Sequence, residues 1–273
     1  MNLHITLLKE KTDMRADVLL VKLGYARSRE SAKQMIDSGF VTVNGKQISK
    51  PSADIPYSDS CTAPDVSISE TPKYVSRGGY KLEGIINLGK INVNDAVCID
   101  IGASTGGFTD CLLQSGAKRV YCIDSGSNQL AREIYENEKT VVHEKTNAKL
   151  LTDEHIPEKA DVIVMDVSFI SQTLIHERVS HFLKDGGLFI SLIKPQFELS
   201  RSEIKKGGIV KNRKDRQSAA VRVINSCISN DLFPHLLADS SIKGGDGNIE
   251  YTAIFKKGHN INYDWLSAID TLS

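Results

Sequence analysis

Apolar positions along this chain are spaced differently on either side of about residue 75, and the change predicts two kinds of structure. In the first part they recur at helical intervals. A first helix is expected from Arg15 to Leu23, broken at Gly24, and Ser28 is placed to cap a second helix that runs through Ile36 with Ala32, Met35 and Ile36 as its buried stripe. Gly39 suits a helix stop. Val41-Thr42-Val43, the turn pair Asn44-Gly45 and Lys46-Gln47-Ile48 then read as a tight hairpin. Residues 51–73 mix Pro, Ser and Asp with short apolar fragments, which predicts a last small strand and then a linker over 66–73.

From about residue 80 the apolar residues gather into short runs, at 96–101, 119–124, 139–143, 161–167 and 187–194, with helical stretches between them. This alternation predicts an α/β fold with a mostly parallel sheet. Phe233–Ser240 and Ile249–Lys256 lack an intervening helix, so they are expected to close the sheet as an antiparallel hairpin. The predicted division is a small α+β head over 1–65, the linker, and the α/β domain over 74–273.

Composition narrows the function classes. With 273 residues, 40% of them hydrophobic, the chain can build a core without metals or disulfides. Its five cysteines, at 61, 98, 111, 122 and 227, form neither a CxxC pair nor a disulfide framework, which favours a reducing cytoplasm. No apolar stretch approaches the roughly 20 residues that cross a bilayer, so no membrane association is expected. The histidines show no metal-ligand spacing. The formal net charge is zero, yet the charges are not evenly spread. Arg27, Arg29 and Lys33 gather at the second helix, and Arg201, Lys205, Lys206, Lys211, Arg213, Lys214, Arg216 and Arg222 form the densest basic cluster. Such clusters suit RNA phosphates, and they equally suit a solvated face.

The sharpest motif is Asp100-Ile101-Gly102-Ala103-Ser104-Thr105-Gly106-Gly107-Phe108-Thr109, a glycine-rich turn after the run Ala96-Val97-Cys98-Ile99. A strand, such a turn and a helix let backbone approach a nucleotide-like ligand. Asp124 closes the next run about 20 residues on, where a ribose-binding acid is expected. Asp166 ends Val162-Ile163-Val164-Met165, and Lys194 ends Leu188–Ile193, with Pro195 stopping the strand. Charged residues that close buried strands are seldom there for packing, although a structural ion pair between the two would also satisfy both ends.

Four resemblances give these residues roles. Asp100 to Phe108 resembles the first motif of S-adenosylmethionine (SAM) methyltransferases, which implies a SAM site made by Asp100, Gly102, Ser104, Gly106, Gly107 and Phe108, with Asp124 on the ribose and Asn147 beside the adenine. Phe108 suits core packing equally well. The segment Arg15-Ala16-Asp17-Val18-Leu19-Leu20, Ala26 to Ala32 and Ile36 to Gly45 resembles the S-four-type RNA-binding domain of ribosomal proteins, which implies RNA contacts from Arg15, Arg27, Arg29 and Lys33. Lys81, Asp166, Lys194 and Glu250 resemble the catalytic tetrad of FtsJ-type 2′-O-methyltransferases. Finally Ser76-Arg77-Gly78-Gly79-Tyr80-Lys81-Leu82, Asp166-Val167-Ser168-Phe169-Ile170-Ser171, Ile193-Lys194-Pro195-Gln196-Phe197-Glu198 and Gly207-Gly208-Ile209-Val210 are similar to the TlyA family, whose members are often labelled haemolysins.

That likeness implies a class I SAM-methyltransferase Rossmann-like sheet, an antiparallel last strand, and methyl transfer to ribose 2′-hydroxyls of ribosomal RNA or ribosomal subunits, with no metal. It extends the RNA-facing set to Arg77, Lys205, Lys206, Lys211 and Arg213. Ser125 and Ile249 depart from the family's usual residues beside Asp124 and Glu250, which are themselves retained. A lysine base needs desolvation or a nearby cation, a part that Lys81 could play for Lys194. A non-catalytic RNA-binding protein and a membrane-acting haemolysin are the rival readings, and a dehydrogenase is a distant one because the glycine spacing is wrong for a dinucleotide.

Overall fold

The computed structural model describes residues 12–37, 39–58, 63–69, 72–200, 204, 208–242, 247–258, 260 and 262–273. The chain divides into two compact units, Met1–Ser76 and Arg77–Ser273.

The first unit runs β1 (Thr12–Arg15), α1 (Ala16–Lys22), α2 (Arg29–Asp37), β2 (Val41–Val43), β3 (Lys46–Gln47), β4 (Asp54–Tyr57) and β5 (Val66–Ile68). Leu19 and Leu20 of α1 pack with Ala32, Met35 and Ile36 of α2 against Val41 and Val43, all buried. The Ser28 hydroxyl accepts from Ser31 N at 3.1 Å, the capping bond that starts α2. Two boundaries differ from the sequence reading. Arg15 ends a strand rather than opening a helix, because β1 pairs antiparallel with β4, and Ala16 N and Asp17 N donate to the carbonyls of Ala53 and Pro51. Residues 66–68, expected in the linker, pair as β5 with β2 and complete a three-stranded sheet, β3-β2-β5. The Val66 side chain is drawn into the head's core, a long-range gain that local composition does not signal.

The second unit begins with α3 (Arg77–Gly89), β6 (Val97–Ile101), α4 (Gly107–Gln114), β7 (Arg119–Ile123), α5 (Arg132–Tyr135), β8 (Thr140–His143) and β9 (Ala160–Met165). It continues with α6 (His176–Phe182), β10 (Leu183–Ile193), α7 (Pro195–Glu198), α8 (Arg213–Ile228), β11 (Leu232–Asp239), β12 (Tyr251–Lys257) and α9 (Trp265–Thr271). One seven-stranded sheet results, ordered β11-β12-β10-β9-β6-β7-β8. Neighbours from β8 through β10 pair in parallel, while β12 pairs antiparallel with both β10 and β11. This is the mixed α/β sheet that the strand pattern predicts. Its interior is apolar on both faces, as parallel strands covered by helices require: every residue of β6 is buried, and Phe189 stacks on Phe255 at 5.6 Å between ring centroids.

The chain proceeds from β6 outward to β7 and β8, then returns to the other side of β6 as β9 and β10. Strand order therefore reverses between β6 and β9. Open α/β sheets bind ligands at the carboxyl ends of strands beside such a reversal.

Candidate active site

Asp100 lies on β6 with no exposed surface. Its Oδ2 accepts from the Thr109 hydroxyl at 2.7 Å, and its Oδ1 has no partner among the described residues. Burial pushes this carboxyl up to about 7; the Thr109 bond opposes the rise and the nearby Asp166 charge reinforces it. The turn that follows depends on glycine at two places. Gly102 has φ +85°, and a Cβ there would stand 2.6 Å from the Asp166 carbonyl oxygen, so the β6 and β9 loops meet backbone to backbone. Gly106, at φ +95°, is the N-cap of α4. Ser104 also takes a left-handed conformation, at φ 48°.

Asp124, one residue beyond β7, holds this turn in place. Its Oδ2 accepts from Ser104 N and its Oδ1 from Gly126 N, both at 2.7 Å. Each carboxylate oxygen keeps a further lone pair, so the acid can order two loops and still accept from a ligand's hydroxyls. Phe108 is 4% exposed on α4, which makes it a packing residue. Asn147 caps the 3-10 turn Ala148–Leu150 by accepting from Lys149 N at 3.1 Å, and its residue surface is otherwise exposed. A fully buried carboxyl oxygen without a partner and a turn closed to any side chain at Gly102 fit a ligand that carries positive charge and ribose hydroxyls, as SAM does.

The tetrad comes together from four elements as two ion pairs. Lys194, the N-cap of α7, places Nζ 2.6 Å from Asp166 Oδ1 and donates to Ser168 Oγ at 2.9 Å. Lys81 of α3 reaches Glu250 Oε2 at 2.6 Å, with both side chains nearly buried. Ile193 is opposite Tyr251 in the β10–β12 register, so Lys194 and Glu250 are the next positions at the same edge of the sheet. Glu250 holding Lys81 is one of the two roles open to that acid, and the contact bears on Lys81 as the cation beside Lys194. The Lys81 charge is spent against Glu250, because two oppositely charged groups at 2.6 Å neutralise each other's field. Pro195 begins α7 where its missing N–H costs nothing, which is why the strand can end on a lysine turned to the edge.

Ser168 and Glu198 stand inside the quoted family motifs but were given no role there, and Gln172 and Ser191, which join the same loops, were missed. A serine two residues after a strand-ending acid is the only local signal that could have found the first of these. The thiols of Cys98 and Cys122, pushed up to about 12 by burial, are inert as nucleophiles. Among the described residues no cluster of His, Cys, Asp or Glu could hold a metal ion.

The RNA-facing residues separate into outward and inward groups. In the first unit Arg15 and Arg29 both grip the buried Asp17, Arg15 through Nε and Nη2 at 3.0 and 3.1 Å and Arg29 through Nη2 at 2.9 Å. Their guanidinium groups remain about half exposed, held in fixed positions by an acid beneath them. Lys33 pairs with Glu30 at 3.4 Å, and Arg27 is exposed. In the second unit Arg77 opens α3. Arg213 is exposed, and its guanidinium donates to the Leu272 and Asp270 carbonyls. Arg216 is buried, bonded to the Val210 and Lys211 carbonyls, and Arg222 donates to the Glu198 carbonyl. These arginines tie loops together because a guanidinium can serve several carbonyls at once. Lys211 is exposed, whereas Lys205 and Lys206 lie outside the described residues.

Comparison with known proteins accords with this geometry. The model of the FtsJ-like methyltransferase family matches residues 74–257, and that of the S4 domain matches residues 14–56. A Bacillus subtilis protein, YqxC, provisionally named an rRNA methyltransferase, is 41% identical over 87% of this chain and 83% of its own. The 16S/23S rRNA (cytidine-2′-O)-methyltransferase TlyA of Mycobacterium tuberculosis is 37% identical over 87% of each chain. A solved structure from Streptococcus thermophilus, provisionally described as a hemolysin, aligns with a TM-score of 0.73 at 33% identity, covering 96% of both chains.

Proposed function

Since this chain belongs to the FtsJ-like methyltransferase family, we propose that it transfers the methyl group of SAM to a ribose 2′-hydroxyl of ribosomal RNA, with the S4 domain as its RNA-binding head. The observation that carries this reading is the pairing of Lys194 with Asp166 at the strand reversal, beside the turn that Asp100 and Asp124 build. The relative named a cytidine-2′-O-methyltransferase makes a cytidine ribose in ribosomal RNA the substrate to test first.

SAM supplies a methyl group already activated by its sulfonium, so the protein chiefly provides alignment and a proton acceptor. Asp100, Gly102, Ser104, Gly106 and Gly107 would hold it, with Asp124 on the ribose; Asn147 would frame the adenine, since it follows Thr146, whose N donates to the Asp124 carbonyl at 2.9 Å. Lys194 fixes the oxygen of the attacking hydroxyl. The Lys194–Asp166 pair, in contact at 2.6 Å, takes the proton as the new bond to oxygen forms. Glu250 keeps Lys81 at the edge, where a phosphate or ribose of the substrate would meet its ammonium. Arg15, Arg29 and exposed Arg27, Lys33 and Lys211 supply positive charge for the RNA backbone. Such a protein works in the cytoplasm; no described helix is long and apolar enough to cross a membrane.

The test is transfer of labelled methyl from SAM to ribosomal subunits that lack the modification. Label in ribose 2′-O positions is expected with the intact chain and should fall by about 10³-fold or more in Lys194→Ala, a loss typical of removing a general base with its alignment. SAM affinity should stay within a few-fold. Absence of transfer from the intact chain, despite SAM binding, would favour a non-catalytic RNA-binding protein.

A further inference from the structure

Two loops carry the reacting pair, and they are fastened along their whole length. One follows β9 from Asp166 to Gln172, and the other follows β10 from Lys194 to Glu198. Lys194 meets Asp166 and Ser168 at one end. In the middle Phe169 lies against Phe197, with ring centroids 5.1 Å apart. At the far end the Glu198 carboxylate accepts from Ser171 Oγ at 2.5 Å and from Gln172 N at 3.0 Å. Gln172 is in turn fixed to β10, accepting from Ser191 Oγ at 2.5 Å and donating to the Leu192 carbonyl at 3.3 Å. Glu198 is only 4% exposed, and the Arg222 guanidinium donates to its backbone carbonyl.

A buried carboxylate is a costly way to join two loops, because burial raises its pKa and must be offset by donors. Its place at the end of a four-residue helix whose N-cap is the reacting lysine gives the cost a use. The helix is too short to hold its own direction, so Lys194 points where the far end is anchored.

We propose that Glu198 is a positioning residue for the methyl transfer: its bonds to Ser171 and Gln172 close a clasp that holds the Lys194 amine against Asp166. This deepens the reading of the site as a ribose methyltransferase and rests on it for its effect on rate. Opening the clasp leaves the SAM turn untouched, since neither loop residue belongs to it, but frees Lys194 to wander by the fraction of an ångström that aligned reactions do not tolerate.

The test pairs kinetics with a chemical readout on the full chain. Glu198→Ala is expected to lower kcat by about 10- to 100-fold with KM for SAM within twofold. Glu198→Gln, which keeps an acceptor for Gln172 N, should recover much of that loss. Ser171→Ala, which removes the hydroxyl's bond to Glu198 together with its bonds to Thr173 but leaves the carboxylate its backbone donor, should shift kcat in the same direction by less. Alongside, each protein is labelled briefly with an amine-acylating reagent and the lysines are read by mass spectrometry. Lys194 should label several-fold faster in Glu198→Ala and Ser171→Ala than in the native chain, while Lys81, held by Glu250 on other elements, should not change. Equal labelling of Lys194 in all proteins, or a rise shared by Lys81, would overturn the proposal, as would a KM increase at unchanged kcat. Should the native chain transfer no methyl group, the functional reading fails by itself, and the labelling still decides whether Glu198 holds Lys194.

Discussion

Asp17 in the head and Asp100 in the methyltransferase domain are both fully buried, and their environments drive them in opposite directions. The bond from Arg15, backed by Arg29, holds Asp17 down at about 2 despite the burial. Among the described residues Asp100 meets no cation, accepting from Thr109 beside the charges of other acids, and burial pushes it up to about 7. Burial alone therefore does not set a carboxyl's charge; the partner does. In the head, the acid serves as a foundation on which two guanidinium groups are set at the surface. In the methyltransferase domain it is an unmet demand for positive charge, retained beside the turn where a sulfonium cofactor fits.

The contrast can be broken most directly through pH. Because the folded value of Asp100 lies above the unfolded one, the group costs nothing below about pH 4, costs more as pH rises towards 7, and has a constant cost beyond, on the order of 4 kcal/mol as an upper bound. Denaturant unfolding should show Asp100→Asn gaining stability over the native chain across that window while binding SAM about tenfold more weakly or worse. A gap that does not vary with pH would remove Asp100 from the comparison. Next in size, Asp17→Ala leaves two guanidinium groups over the head's core without their acid and should cost about 3 kcal/mol, read as a loss of denaturant midpoint.

Acid titration sharpens the other half. A depressed carboxyl stabilises above its unfolded pKa and loses that contribution as pH falls through the folded one, so Asp17 should withdraw about 2 kcal/mol between pH 4 and 2. The Asp17→Asn protein should lack this acid limb. Smallest is Thr109→Val, which removes the only side-chain donor to Asp100 and should cost about 1 kcal/mol while moving the Asp100-dependent window to higher pH.

The fold was largely legible because its signals are local. Apolar runs that end in Asp100, Asp124, Asp166 and Lys194 marked both the strands and the edge at which those charges gather. Ser28 and the Asn44-Gly45 pair marked a cap and a turn through chemistry contained in a few residues. Asp166, Lys194 and Glu250 were legible as strand ends, whereas Lys81, inside α3, was legible through the family resemblance. Less was visible where one residue type serves two ends. Arg213, Arg216 and Arg222 look alike in a basic run, yet only Arg216 is buried, and backbone carbonyls outside α8 accept from all three guanidinium groups.

By itself, then, the sequence determined the two-part organisation, the parallel sheet, the glycine turn and the identity of the four edge residues, since periodicity, turn chemistry and strand ends act over distances of a few residues. Only the tertiary structure decided that Val66–Ile68 joins the head, that Asp17 is gripped from two sides, and that Glu198 closes the loops behind Lys194. A charged group's partner is whatever the fold brings within about 3 Å of it, and at that range the energy depends on geometry that no local pattern encodes.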